Sequence, residues 1–71
     1  MHKYHINVFY SEDDEGFIAD IPDLKYCSAF GETQEDAMRE IMIAMELWLA
    51  TAIEDGEEIP RPRYKPAIYQ I

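Results

Sequence analysis

Apolar positions are densest between Gln34 and Glu54, about 21 residues without a glycine or proline, and from Ile41 to Ala50 only Glu46 is polar. Ala37, Ile41, Ala44, Met45, Trp48 and Ala52 recur at i, i+3, i+4, i+7 spacing and predict one face of an α-helix. Met38, Met42, Leu49 and Ile53 make a second stripe, rotated from the first. One stripe can cover a sheet, and the other needs a different cover. A helix of this length spans roughly 31 Å, whereas a seven-residue strand reaches about 23 Å. Part of the helix therefore overhangs any sheet it packs on.

The rest of the chain alternates with the shorter period of strands. Tyr4, Ile6, Val8 and Tyr10 share one face, with His5, Asn7 and Phe9 on the other, which predicts a first strand over 4–10. The polar run 11–16 ends in Gly16 and predicts a hairpin with the glycine at positive φ. A second strand over 17–21 is stopped by Pro22, which has no N–H for the ladder. After a turn at 22–25, a short strand over 26–30 places Cys27 and Ala29 on one face and Tyr26, Ser28 and Phe30 on the other. Thr33 is a good N-cap, Glu35 and Asp36 suit the positive end of the helix dipole, and Gly56 supplies a stop. Residues 57–66 hold Pro60, Pro62 and Pro66 and cannot continue the helix; residues 67–71 form a candidate edge strand. The expectation is one α+β domain over 1–71, a small antiparallel sheet in β-β-β-α-β order with one long helix packed across it.

Seventy-one residues bury only roughly 60% of the unfolded surface on folding, and oligomerisation is the expected supplement. A single cysteine excludes an internal disulfide and fits a reducing, cytoplasmic setting. The opening residues lead into alternation instead of an apolar signal core, and the run at 41–50 is too short for a membrane span. The net charge is −9, from 15 acidic and 6 basic residues. All 15 acids precede residue 59, and Arg61, Arg63 and Lys65 follow it. Such a body repels phosphate, so no direct nucleic-acid contact is expected, and it steers basic partners toward itself.

Four pieces in order carry a resemblance. Asp14-Glu15-Gly16-Phe17-Ile18-Ala19, then Pro22-Asp23-Leu24 and Cys27, then Gly31-Glu32-Thr33-Gln34-Glu35-Asp36-Ala37, and finally Asp55-Gly56-Glu57-Glu58-Ile59-Pro60-Arg61-Pro62 resemble the HicB-like antitoxins over about residues 4–62. The resemblance implies a trimmed ribonuclease-H-like domain that forms dimers or larger assemblies and covers a small basic mRNA-cleaving toxin of the HicA type. The DNA-binding extension of many members has no counterpart in this sequence, so operator binding is not carried over. Lys25-Tyr26 departs from the Pro-Gly that the family commonly has before the cysteine.

The function expected is therefore that of a stoichiometric binding protein, the antitoxin of a type II pair, and no enzyme. Alternatives are an orphan oligomeric interaction module and a residual metal-dependent nuclease. The nuclease needs converging carboxylates, and the strands offer only Asp20. His2 and His5 have opposite strand parity and do not chelate one ion easily. Cys27 reads as a small core residue. No catalytic residue, metal or cofactor is expected. The candidate toxin contacts are Glu12, Asp13, Asp14, Asp20 and Glu40, through strand-edge pairing or an acidic helix face. The candidate self-association residues are Met42, Leu49 and Ile53, helped by Tyr69 and Ile71.

Overall fold

The computed structural model describes residues 3–66. Three strands and one helix follow in order, β1 (Asn7–Ser11), β2 (Gly16–Asp20), β3 (Ser28–Gly31) and α1 (Gln34–Glu54). The strands form one antiparallel sheet with β2 in the middle. The expected edge strand at 67–71, with Tyr69 and Ile71, lies outside the described residues, as does His2.

The helix matches its sequence signals closely. Thr33 caps the start, its Oγ1 accepting the Asp36 N–H at 3.1 Å. The end is a Schellman turn: Gly56 N–H donates to the Ile53 carbonyl at 3.1 Å and Glu57 N–H to the Ala52 carbonyl at 2.8 Å. Gly56 takes φ 73°, and no atom stands within 4 Å of where a Cβ would be, so backbone conformation alone asks for glycine there.

The strand boundaries are shifted from the alternation. Asn7 pairs with Asp20 at the end of β2, so the ladder starts at Asn7, three residues later than the alternation predicts. Residues 21–27 form consecutive turns, with Leu24 N–H donating to the Ile21 carbonyl, Cys27 N–H to that of Leu24, and Ile21 N–H to that of Cys27. Tyr26 sits at φ 63° inside this connection, so β3 begins only at Ser28. The first hairpin corrects another expectation. Glu15, not Gly16, takes the left-handed conformation, at φ 52°. Gly16 meets a different need: a Cβ there would stand 2.4 Å from the Phe30 ring, which lies over it.

α1 lies chiefly over β3 and β2. Ala19, Ile21, Leu24, Cys27, Ala37, Ile41, Met45, Leu49 and Tyr4 form the core, with Val8, Phe17, Ala29, Trp48 and Ile59 packed around it. Ile21, Leu24 and Ile41 are its largest fully enclosed side chains, each contributing about 1.5–3 kcal/mol by burial. Leu49 corrects the second stripe. It is only 5% exposed, because the row 37-41-45-49 advances four residues at a time and winds slowly around the helix, following the twisted sheet. Met42 and Ile53 remain exposed.

After Gly56 the chain returns across the N-terminal segment. The Tyr4 hydroxyl donates to the Pro60 carbonyl. The Asp23 carboxylate accepts the N–H of Arg63 at 3.0 Å and that of Tyr64 at 3.1 Å, and the Tyr64 ring rests 4.8 Å from that of His5.

Gly31 is the tightest point. A Cβ there would stand 2.2 Å from the Ala37 nitrogen and 2.6 Å from the Asp36 carbonyl carbon, both backbone atoms. Gly31→Ala should cost about 3 kcal/mol, at the upper end for overpacking, and lower Tm by roughly 12–24 °C for a domain of this size. Gly56→Ala should cost only about 1 kcal/mol, a conformational penalty. Thermal melts of the two variants check the ranking; equal losses would remove the packing constraint assigned to Gly31.

Candidate functional site

The register fixes which side chains share each face of the sheet. Val8, Tyr10, Phe17, Ala19 and Ala29 lie on the side toward α1; Asn7, Phe9, Ile18, Asp20, Ser28 and Phe30 lie on the other. No element among the described residues covers that second face. Phe9 pairs with Ile18, and Ile18 pairs with Phe30, giving one apolar row across all three strands. Phe9 is 50% exposed and Phe30 44%. A solvated sheet face is ordinarily polar, so this row is the most distinctive surface feature of the domain.

The candidate acids do not converge. Glu12, Asp13 and Asp14 are exposed at the β1–β2 tip, where Asp14 accepts a 2.8 Å hydrogen bond from the Ser11 hydroxyl. Asp20 stands at the opposite end of β2, on the open face, about 13 Å along the strand from Gly16. Its Oδ1 is buried and has no hydrogen-bond partner. Glu40 is exposed on α1, on the other side of the sheet. Among the described residues no group of three or more His, Cys, Asp or Glu side chains is arranged to hold a metal ion. Arg39–Asp36 is the ion pair formed, at 2.9 Å along the first turns of α1.

The helix also exposes apolar side chains, among them Ile43 and Leu47. Met38, Met42 and Ile53, the last 63% exposed, run beside the buried Leu49. Two further features escaped the sequence reading. Asp23 tethers the returning tail, and nothing in its local sequence separates it from any other turn aspartate. Tyr26 projects into solvent, 91% exposed, on the turn that precedes β3. Its one sequence signal is the departure from Pro-Gly before Cys27. The open-face row was legible in principle, since strand parity places Phe9 and Phe30 on one face once the register is known.

Two titrating groups sit in shifted environments. Burial raises the Tyr4 hydroxyl pKa, and the Asp23 charge raises it further. Burial likewise raises the Cys27 thiol pKa, with the Asp20 charge adding to it.

The fold and surface define a small α+β domain, a three-stranded antiparallel sheet covered by a helix on one face and open on the other. The model of the UPF0150-like family matches residues 2–60, and the chain belongs to that family, which is related to the HicB-like antitoxins. A UPF0150 protein of Synechocystis sp. is 43% identical over 53 residues, 75% of this chain and 73% of that protein. A UPF0150 protein of Helicobacter pylori is 41% identical over 44 residues, 62% of this chain and 61% of that protein. No solved structure matches the chain significantly. No helix of the described residues is long and apolar enough to cross a membrane.

The Cys27 environment gives a prediction with a definite sign. Its folded pKa lies above the unfolded value, so the associated stability is fully present below the unfolded thiol pKa and is lost as pH rises toward the folded one. Iodoacetamide should label Cys27 slowly at pH 8, with an inflection above that of a free thiol. Asp20→Asn should move the inflection down, with burial still holding it above the ordinary value. An inflection at the ordinary thiol value in the folded protein would contradict the buried environment.

Proposed function

We propose that this protein is an antitoxin of a type II toxin–antitoxin pair and that it acts by binding and covering a small basic mRNA-cleaving toxin of the HicA type. The observation that carries the reading is the apolar row Phe9–Ile18–Phe30, left uncovered on a domain of net charge −9. An apolar centre surrounded by one sign of charge is the arrangement a protein partner of opposite charge fits. The likeness to HicB-like sequences and the relation between the two families support the choice of partner. The acids at the β1–β2 tip attract the basic protein over long range, and the open sheet face then takes up the docked surface, leaving the toxin's catalytic face occluded.

Self-association belongs to the same reading. The exposed Met38, Met42 and Ile53 flank gives α1 a second apolar contact on the side away from the open face, so a copy of this chain and a toxin can be bound at once. The assembly is a dimer or a tetramer.

The direct test is to tag the chain, express it with its neighbouring reading frames intact, and identify by mass what co-purifies. A small basic protein in fixed ratio, toxic alone and relieved by this chain, is the expected result. Elution with copies of itself alone would instead favour an orphan oligomeric module. With the toxin in hand, Asp13→Lys/Asp14→Lys should slow association roughly 10-fold at low salt and flatten its salt dependence; an unchanged on-rate would remove the tip from the account.

For self-association, Met42→Glu/Ile53→Glu should give a folded monomer by native mass at micromolar concentration. Leu49→Glu should unfold the chain instead, since it buries a charge in the core at a cost of several kcal/mol. A wild-type chain of single mass at that concentration would overturn the self-association.

A further inference from the structure

Where β2 runs into β3, residues 20–28 enclose an open cleft of about 320 Å³, lined in part by Asp20, Lys25, Tyr26 and Ser28. This volume is near the lower end of the ~300–1,000 Å³ range of ligand sites. Three properties set the cleft apart from an ordinary turn. The first is the unpartnered, buried Oδ1 of Asp20. A buried acceptor left unpaired is costly and is rare in native proteins. The second is Tyr26, a bulky residue held at φ 63° with its side chain in solvent. Such a conformation disfavours any residue with a Cβ and persists only when the surroundings fix it. They do so here: the connection is closed by three backbone hydrogen bonds, and the Trp48 indole N–H donates to the Lys25 carbonyl at 2.9 Å. The third is that the Tyr26 ring already has a cation against it, the Lys25 ammonium at 5.3 Å from the ring centroid.

We infer that this cleft receives an arginine side chain of a protein partner, whose guanidinium N–H groups pair with Asp20 while its plane stacks on the Tyr26 ring. The inference rests on the proposed basic partner and adds the residue that this partner inserts. Charge complementarity selects a cation, because the Asp20 carboxylate lines the cleft in a chain with 15 acids and 6 bases, and its buried Oδ1 has no hydrogen-bond partner among the described residues. Arginine fits better than lysine, since a planar, weakly hydrated fork pairs bidentately with a carboxylate and stacks on an aromatic face at the same time. A metal ion is a poorer occupant, because among the described residues Asp20 belongs to no group of three or more His, Cys, Asp or Glu side chains that could hold one and calcium takes six to eight oxygens. Lys25 is exposed on a flexible stem, so it swings into solvent as the guanidinium takes its place on the ring. Asp20 and Ser28 pair across the sheet on the same face as the Phe9–Ile18–Phe30 row, so the cleft lies at one margin of the proposed docking surface.

The test uses the full chain, 15N-labelled, titrated by NMR with N-acetyl-arginine amide, the matching lysine amide, and the citrulline amide, which keeps the shape of arginine and lacks its charge. Saturable shifts are expected at the amides of Asp20, Tyr26, Cys27 and Ser28 with the arginine probe, weaker ones with lysine and none with citrulline. Asp20→Asn should abolish them. Tyr26→Gly should weaken binding about 2- to 5-fold, the loss of an exposed cation–π contact, while raising Tm because the strained turn relaxes. Lys25→Gln should tighten binding of the arginine probe, because it removes a competing positive charge from beside the Tyr26 ring. Equal shifts with the citrulline probe, full retention in Asp20→Asn, or no shift with any probe would each overturn the inference. A chain that binds the arginine probe at this cleft but purifies with no basic partner supports the pocket and sinks the antitoxin reading. Co-purification with a toxin whose affinity is unchanged by Asp20→Asn overturns the pocket and leaves that reading intact.

Discussion

The absence of a side chain at Gly31 sets the geometry of this domain. With a Cβ position 2.2 Å from the Ala37 nitrogen, β3 and the first turn of α1 meet at backbone contact. That approach, together with the small Ala19, Ala29 and Ala37, draws the helix down onto β3 and β2. Large residues then enter from the periphery: Ile41, Met45 and Leu49 along the helix, Ile21 and Leu24 from the β2–β3 connection. One helix covers one face, and among the described residues no second helix covers the other. Within the described residues the other face stays open, and on it the Phe30 ring lies over Gly16.

The helix and its ends were readable from the sequence because their causes are local. Thr33, Gly56 and the i, i+3, i+4 apolar spacing act over one or two turns. The strand ends were misread because they depend on register: Tyr4 to Ile6 alternate well, yet the β1–β2 ladder begins only where Asn7 meets Asp20, the last residue of β2. Leu49 failed for a related reason. Helical periodicity separates faces only to within tens of degrees, and the twist of the sheet decides which flank it accepts. Glycine was read through φ at Gly16, where the reason is instead a ring packed against the backbone. The candidate site was legible only as chemistry. Acidity and a basic partner follow from composition, whereas the row of Phe9, Ile18 and Phe30 needs the pairing of three strands.

Stability and recognition use different parts of this chain. The buried set is apolar, with no buried polar or charged residue among those described, and the charges are spread over an exposed shell in which Arg39–Asp36 is the ion pair formed. Exposed pairs contribute little to stability, and a net charge of −9 opposes compaction. Fifteen acids on so small a domain therefore work against the fold, which the alanine-lined core and the tethered tail must offset. A charge distribution that costs stability is retained most readily where it serves association, and its long-range field acts before any contact forms.

Besides the apolar flank of α1, three unsatisfied features lie on the open face and the turn that leads into β3. Toward α1, caps are filled, the core is closed, and the returning tail is held by Asp23 and Tyr4. On the open face of the sheet and in the turn into β3 stand the exposed aromatic row, the orphaned oxygen of Asp20 and the left-handed Tyr26. Each alone has a bland explanation: small domains expose some apolar surface, a turn can hold a non-glycine at positive φ, a carboxylate can rotate toward water. Their coincidence is harder to dismiss, because the three have unrelated physical origins in burial, hydrogen bonding and backbone strain. A partner that covers the row, pairs the oxygen and stacks on the ring removes the first two deficits and makes use of the third, so one binding event accounts for what three separate accidents would otherwise have to explain.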